Sequence, residues 1–134
     1  MTDNRGVELI AELGPGPREV SRARRALARA LEGWGWRGES ADVAILLASE
    51  LLTNAVRHAG APVRLSAGVE PLGGLLRVEV HDEVVEGVSV RRASGDDEDG
   101  RGLQLVDVLA HQWGWRAVAT GGKRVWFELD RGHA

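Results

Sequence analysis

The spacing of apolar residues predicts one strand and two helices in the first half of the chain. Val7–Leu13 alternates apolar and polar residues, as in a short strand, and the glycines and prolines at 14–17 end it. Arg18–Leu31 has apolar residues at helical spacing, with arginines on the opposite side. A second helix is expected from an N-cap at Ser40 to about Ala59, where a glycine and a proline follow.

The second half of the chain changes to a period of two, which is typical of strands with one buried face. Strands are predicted at 63–69, 76–82, 113–119 and 125–129, with a weaker strand at 88–90 and hairpin turns at 73–74 and 120–122. Ala93–Arg101 predicts a mobile acidic loop, and Leu103–Ala110 predicts a short helix. Because the helices are clustered rather than alternating with strands, we expect an α+β fold, a two-layer sandwich with a mixed, mostly antiparallel sheet.

The chain of 134 residues has about the length of one domain, and its composition removes several classes of function. Its 17 basic and 20 acidic residues give a net charge of -3, which argues against a dedicated nucleic-acid binder. No apolar run is long enough to span a bilayer, and residues 1–5 do not begin a signal peptide, so a cytoplasmic protein is expected. The absence of cysteine excludes thiol nucleophiles and zinc ribbons.

One stripe on the second predicted helix carries candidate chemistry. Glu50, Asn54 and His58 are spaced i, i+4 and i+8, so they share one face, and Arg57 borders it. A carboxylate one turn before a carboxamide can offer hard oxygen ligands and a base to a magnesium-bound phosphate. A solvated helix face also shows a polar stripe, so the spacing alone leaves both interpretations open.

Two later segments place polar groups at the ends of predicted elements. Asp82 ends the strand at 76–82, where a carboxylate can accept a hydrogen bond from an exocyclic amine such as that of adenine, or simply begin a turn. The segment Gly100–Gly102 precedes the helix that starts at Leu103, where glycines let backbone N–H groups approach an anion. Glycines are also ordinary loop residues, so this segment fits either role.

Four segments, in this order, resemble the motifs of a known superfamily. SELLTNAVRHA is similar to the N box of GHKL ATPases, VEVHD to their G1 motif and GRGLQLVDVLAHQWGW to their G2 motif. GGKRVWFEL is similar to their closing strand. The resemblance covers about residues 7–130 as one histidine-kinase-like ATPase domain, with 1–6 and 131–134 as short flexible tails. This resemblance is to the small single-domain branch that includes actinobacterial anti-sigma factor serine kinases. It implies the Bergerat α/β sandwich.

The resemblance also implies a role for each matching residue. Glu50 matches the catalytic base of the family, and Asn54 matches its magnesium ligand. Asp82 matches the aspartate that reads adenine, and 93–99 would be the lid over the nucleotide. The remaining nucleotide-binding positions are Arg57, His58, Gly100, Arg101, Gly102, Leu103 and Lys123. ATP and Mg²⁺ are therefore the expected cofactors.

Together these features favour an ATP-binding anti-sigma factor with magnesium-dependent serine kinase activity toward an anti-sigma factor antagonist. Its expected partners are a sigma factor, that antagonist and, as a further option, a second copy of the chain, with no nucleic acid and no membrane. The alternative is a nucleotide-sensing protein-binding module of the same fold with little or no phosphotransfer. The basic face of Arg18–Arg29 is either a docking surface or a solvated face. A histidine-based metal hydrolase is disfavoured because the four histidines lack ligand-type spacing.

Overall fold

Three helices and five strands make up the part of the chain that the computed structural model describes. This part comprises residues 8–59, 62–70, 74–83, 98–119 and 121–131, and at 58–59 and 98–103 it is the backbone alone. In chain order the elements are β1 (Glu8–Leu13), α1 (Pro17–Gly33), α2 (Gly38–Ala59), β2 (Val63–Val69), β3 (Leu75–Asp82), α3 (Glu98–Leu109), β4 (Gln112–Ala117) and β5 (Lys123–Asp130). The predicted order is confirmed, apart from the weak strand at 88–90, which lies outside the described residues.

The strands form one sheet in the order β1-β2-β3-β5-β4. All four neighbouring pairs are antiparallel, so the described sheet has no parallel pair where a mixed one was expected. Helix α2 packs against β2, β3 and β5, while α1 packs against β1 and α3 against β4. The predicted α+β two-layer sandwich is therefore confirmed.

The core lies between the helices and one face of the sheet. On β3 and β5 every second side chain is buried, as the period of two predicts. The buried apolar residues of these two strands are Leu76, Val78, Val80, Val125, Phe127 and Leu129. Each of these buried series also contains one charged residue. Asp82 is the last residue of β3 and Lys123 is the first of β5, so the two lie at the same end of the antiparallel pair.

Helix α1 begins where the sequence allows a sharp change of direction. Gly16 has a φ of 114°, and Pro17 follows at the first helical position, where its missing N–H costs nothing. The buried side of the helix comprises Ala23, Leu27 and Leu31. The guanidinium of Arg22 donates to the carbonyl oxygen of Glu12 at 2.6 Å and so ties the helix to β1.

The predicted start of α2 is wrong by three residues, because an N-cap at Ser40 places the first helical residue at 41. The helix begins at Gly38, and Ser40 lies inside its first turn rather than at the N-cap. The Ser40 hydroxyl donates to the carbonyl oxygen of Arg37 at 3.2 Å, so it contacts the preceding chain instead of capping backbone N–H groups. The predicted end at Ala59 is confirmed.

The predicted start of α3 is also wrong. The helix begins at Glu98 and includes Gly100–Gly102, whereas the sequence predicted a loop up to Arg101 and a helix from Leu103. Carboxylates in the first turn of a helix are favoured by the helix dipole, and they offset the cost of about 1 kcal/mol that each internal glycine adds. The rest of the predicted acidic loop, 93–97, lies outside the described residues.

The last hairpin is shorter than predicted. Strand β4 ends at Ala117, and the N–H of Val118 donates to the carbonyl oxygen of Gly122 at 3.0 Å to close the turn.

Within the described ranges, no helix is long and apolar enough to cross a membrane.

The face of the sheet opposite the helices is covered by charged and aromatic side chains. Arg77 lies over the ring of Trp126 at 4.2 Å and donates to the carboxylates of Glu79 at 2.8 Å and Glu128 at 2.9 Å. The edge of the Trp126 ring lies against Gly114, where a Cβ would approach Cζ2 to 2.9 Å. Among the described residues, this face is therefore packed by cross-strand side-chain contacts.

Candidate functional site

The stripe predicted on α2 lies along the edge of its buried face. Glu50 and Asn54 are both half-buried, whereas their neighbours Leu47 and Leu51 belong to the core. Asn54 interacts with another residue. Arg57, which follows the half-buried Val56 and is itself exposed, also does so. The helix thus presents a carboxylate and a carboxamide one turn apart at the border between core and solvent.

The fourth predicted residue of the stripe is His58. Its backbone continues the helix, and its side chain lies outside the described part.

Asp82 and Lys123 form a buried ion pair at one end of the interior strands β3 and β5. The two residues are directly opposite each other in the β3–β5 ladder, and Lys123 Nζ donates to Asp82 Oδ1 at 3.2 Å. Only 5% of the Asp82 side chain and 10% of the Lys123 side chain are exposed. A buried charge is tolerated when it is paired and hydrogen-bonded, so each residue requires the other. The pair presents an acceptor and a donor side by side.

The turn between β4 and β5 holds this pair in position. Gly121 and Gly122 have φ values of 124° and 81°, which L residues rarely adopt. Gly122 lies directly against the backbone of Asp82, and a Cβ there would overlap the Asp82 carbonyl oxygen. On the other face of the sheet, His81 Nε2 lies 3.3 Å from the carbonyl oxygen of Gly121. The end of β3 is therefore fixed to this turn from both faces.

The glycine segment at 100–102 does not precede its helix as predicted. Gly100, Arg101, Gly102 and Leu103 all lie within the first two turns of α3, and their backbones alone are described. The N–H groups of the first turn have no acceptor inside a helix, so the N–H of Gly100 can donate a hydrogen bond to an anion. The N–H of Gly102 lies two residues further along the helix and belongs to its hydrogen-bond ladder.

The donor set of these residues fits a nucleotide with a hard cation. Carboxylate and amide oxygens on adjacent turns of α2 are the ligand types that Mg²⁺ prefers. The buried carboxylate of Asp82 can accept from an exocyclic amine, and Lys123 can donate to a ring nitrogen or an oxygen. The described residues contain no group of three or more histidine, aspartate or glutamate side chains that would hold a metal without a ligand.

Sequence reasoning finds Asp82 and Lys123 separately and does not find their contact. The two residues are 41 positions apart, and their pairing depends on the register of β3 against β5. Gly122 is visible in the sequence only as part of a hairpin signal, although it also packs on Asp82. One signal for the pair does exist, because Asp82 and Lys123 continue the buried phase of their strands.

The family of the chain can be decided by comparison with known protein families. The family model of the histidine kinase-like ATPase domain matches residues 14–129, from the residue after β1 to the penultimate residue of β5. The chain belongs to the histidine kinase-like ATPase family. Membership of this ATPase family supports an ATP-binding, regulatory role for the domain. A comparison with curated protein sequences found no significant match.

Proposed function

We propose that this histidine kinase-like ATPase is a cytoplasmic anti-sigma factor that phosphorylates a serine of an anti-sigma factor antagonist, with ATP and Mg²⁺. The observation that carries the proposal is the placement of Glu50 and Asn54 one turn apart on the half-buried edge of α2. An enzyme of this kind needs a cation ligand and a base close together, and this edge supplies one of each.

Each residue has a defined part in the proposed reaction. Asn54 would hold Mg²⁺, which would neutralise charge on the phosphates. Asp82 accepts from the adenine amine, and Lys123 donates next to it. Glu50 takes the proton of the serine hydroxyl. The serine oxygen bonds to the γ-phosphorus, while the bond from that phosphorus to the ADP oxygen breaks. Arg57 and Arg101 would supply positive charge for phosphate oxygens, and His58 would face the phosphates and the ribose.

One observation favours a second candidate function, a nucleotide-sensing binding module with little phosphotransfer. Gly102 and Leu103 lie inside α3 and not in a loop before it. A helix start at Glu98 also brings carboxylates to the helix end that would otherwise attract phosphate. Such a module would bind nucleotide and change its protein contacts without completing the transfer.

Two measurements on the wild-type protein test the proposal. Isothermal titration with ATP, ADP and GTP in the presence of Mg²⁺ is expected to show tighter binding of ATP than of GTP, because Asp82 would face the guanine carbonyl. Labelled γ-phosphate is then expected to appear on a candidate antagonist protein from the same organism. Equal affinity for ATP and GTP would reject the role of Asp82. Tight ATP binding without any labelling would favour the binding module.

A further inference from the structure

Helix α1 carries four arginines in one line on its solvent side. Arg18, Arg22, Arg25 and Arg29 recur at i, i+4, i+7 and i+11, and all four are exposed. The buried residues Ala23, Leu27 and Leu31 lie on the opposite side of the helix. At about 1.5 Å per residue these four residues, which we call the arginine stripe, span roughly 17 Å.

Most of this charge is not neutralised within the described part of the chain. Arg22 pairs with Glu19 at 2.8 Å, but Arg18, Arg25 and Arg29 have no ion-pair partner among the described residues. Helix α1 holds five arginines and two glutamates, although the whole chain has more acidic than basic residues. Helix α1 thus presents a positive surface that the acidic groups of the described residues neutralise only at Arg22.

Apart from Arg22, which pairs with Glu19, the placement of these arginines does not stabilise the helix. Like charges three and four residues apart repel each other, and the stripe contains three such neighbouring pairs. Arg18 lies in the first turn, where the helix dipole favours anions, and the last turn carries no basic residue, although the dipole favours cations there. An arrangement that does not stabilise the helix indicates a role outside it.

We propose that the arginine stripe docks an acidic helix of a partner protein, with aspartate or glutamate at the same i, i+4, i+7 and i+11 spacing. Arg18, Arg25 and Arg29 lie along one line that a second helix can follow, and each of their guanidinium groups can bind a carboxylate through two hydrogen bonds. Arg22, on the same line, already donates to Glu19 and to the carbonyl oxygen of Glu12 and adds positive charge. The net charge of -3 makes a polyanion such as duplex DNA a poorer ligand than a short acidic helix. This inference does not depend on ATP binding or on phosphotransfer.

The test uses the full chain and a synthetic probe. The probe is a capped, fluorescent, alanine-rich helical peptide with glutamate at i, i+4, i+7 and i+11, and a second peptide of the same composition spreads the glutamates around the helix. The stripe variant is Arg18→Glu/Arg25→Glu/Arg29→Glu. The matched control variant is Arg24→Glu/Arg37→Glu/Arg116→Glu, which makes the same charge change at exposed arginines off the stripe. Fluorescence anisotropy at low ionic strength gives each affinity.

Wild type and the control variant are expected to bind the aligned peptide, and the stripe variant to bind it at least about ten-fold more weakly, as the loss of three exposed ion pairs implies. Binding should weaken from about 0.01 M to about 0.15 M salt. The stripe variant turns the 18/22 and 22/25 pairs into opposite-charge pairs and leaves 25/29 like-charged. Circular dichroism is therefore expected to show the same helix content as wild type, so weaker binding is not a sign of unfolding. Equal binding of both peptides, equal loss in both variants, or tighter binding of duplex DNA would each overturn the proposal.

Discussion

Gly122 packs on the backbone of Asp82 so closely that no side chain fits between them. A Cβ at Gly122 would overlap the Asp82 carbonyl oxygen and lie 2.9 Å from Cα of Glu83. We therefore expect Gly122→Ala to destabilise the protein by more than its φ of 81° alone would, because the turn must also move away from β3. The free energy of unfolding in urea, followed by circular dichroism, measures this change.

Gly121→Ala is the matched control for that substitution. Gly121 has a φ of 124°, but no described atom lies within 4 Å of the position that its Cβ would take. The control therefore shares the backbone strain of roughly 1–3 kcal/mol and not the overlap. The expected excess for Gly122→Ala is at least about 1 kcal/mol. Equal losses in the two variants would mean that β3 does not depend on this close approach.

The Asp82–Lys123 pair predicts a strong asymmetry between single and double substitutions. Lys123→Met removes the buried cation that donates to Asp82, which is expected to cost about 3 kcal/mol of unfolding free energy. The double variant Asp82→Asn/Lys123→Met removes both charges of this pair and should recover part of that loss. Urea denaturation of wild type, both single variants and the double variant gives the coupling energy, and additive losses would contradict the buried pair.

A further prediction concerns Asn54 and the cation. Asn54→Ala is expected to abolish magnesium-dependent binding of ATP, because it removes the amide oxygen proposed to hold Mg²⁺. The side chain is half-buried, so its loss should cost only about 1 kcal/mol of stability. Titration with ATP, with and without Mg²⁺, measures the effect, and Thr53→Ala is the control at an exposed neighbour. An unchanged ATP affinity for Asn54→Ala would leave the stripe on α2 as a solvated face.

Local patterns predict those parts of the molecule that local physics decides. The alternation on β3 and β5 arises from side chains pointing to opposite faces of a strand, so Val78 and Phe127 can be assigned to the core from sequence. The shared face of Glu50 and Asn54 follows from helix geometry in the same way. These features need no knowledge of the rest of the chain.

Other features depend on long-range contacts or on competing local preferences. The ion pair of Asp82 and Lys123 requires the register of two strands distant in sequence, which no local pattern encodes. The start of α3 differs from the prediction because the carboxylates of Glu98 and Asp99 favour a helix start where the glycines at 100 and 102 oppose one. The order of the motifs contains more information about the family than any single element does.

The start of α1 predicts a pH dependence of stability. The hydrogen bond from Arg22, at 2.8 Å, and then the one from the Gly14 N–H, at 3.0 Å, lower the pKa of Glu19 below its ordinary value of 4.5. A carboxylate with a lowered pKa in the folded state stabilises the protein fully above the unfolded pKa. That contribution is lost as the pH falls through the folded pKa.

We therefore expect Glu19→Gln to lower the melting temperature at neutral pH and to differ less and less from wild type as the pH falls below about 4.5. Glu32→Gln, at the exposed far end of α1, controls for the removal of one negative charge from the same helix. Melting curves at several pH values measure the difference. A constant gap between Glu19→Gln and wild type at all pH values would contradict the prediction.

The last prediction separates the kinase from the binding module and concerns Glu50. If Glu50 takes the proton from the serine hydroxyl, Glu50→Gln should keep most of the ATP affinity, because the amide is nearly isosteric with the carboxylate. Transfer of labelled γ-phosphate to the antagonist should fall by a factor on the order of 10²–10⁴, the usual effect of removing a general base. Glu39→Gln, an exposed glutamate in the first turn of the same helix, should transfer phosphate at the wild-type rate. A Glu50→Gln protein that labels the antagonist as fast as wild type would remove Glu50 from the mechanism, because ATP binding and serine activation would then not depend on its charge.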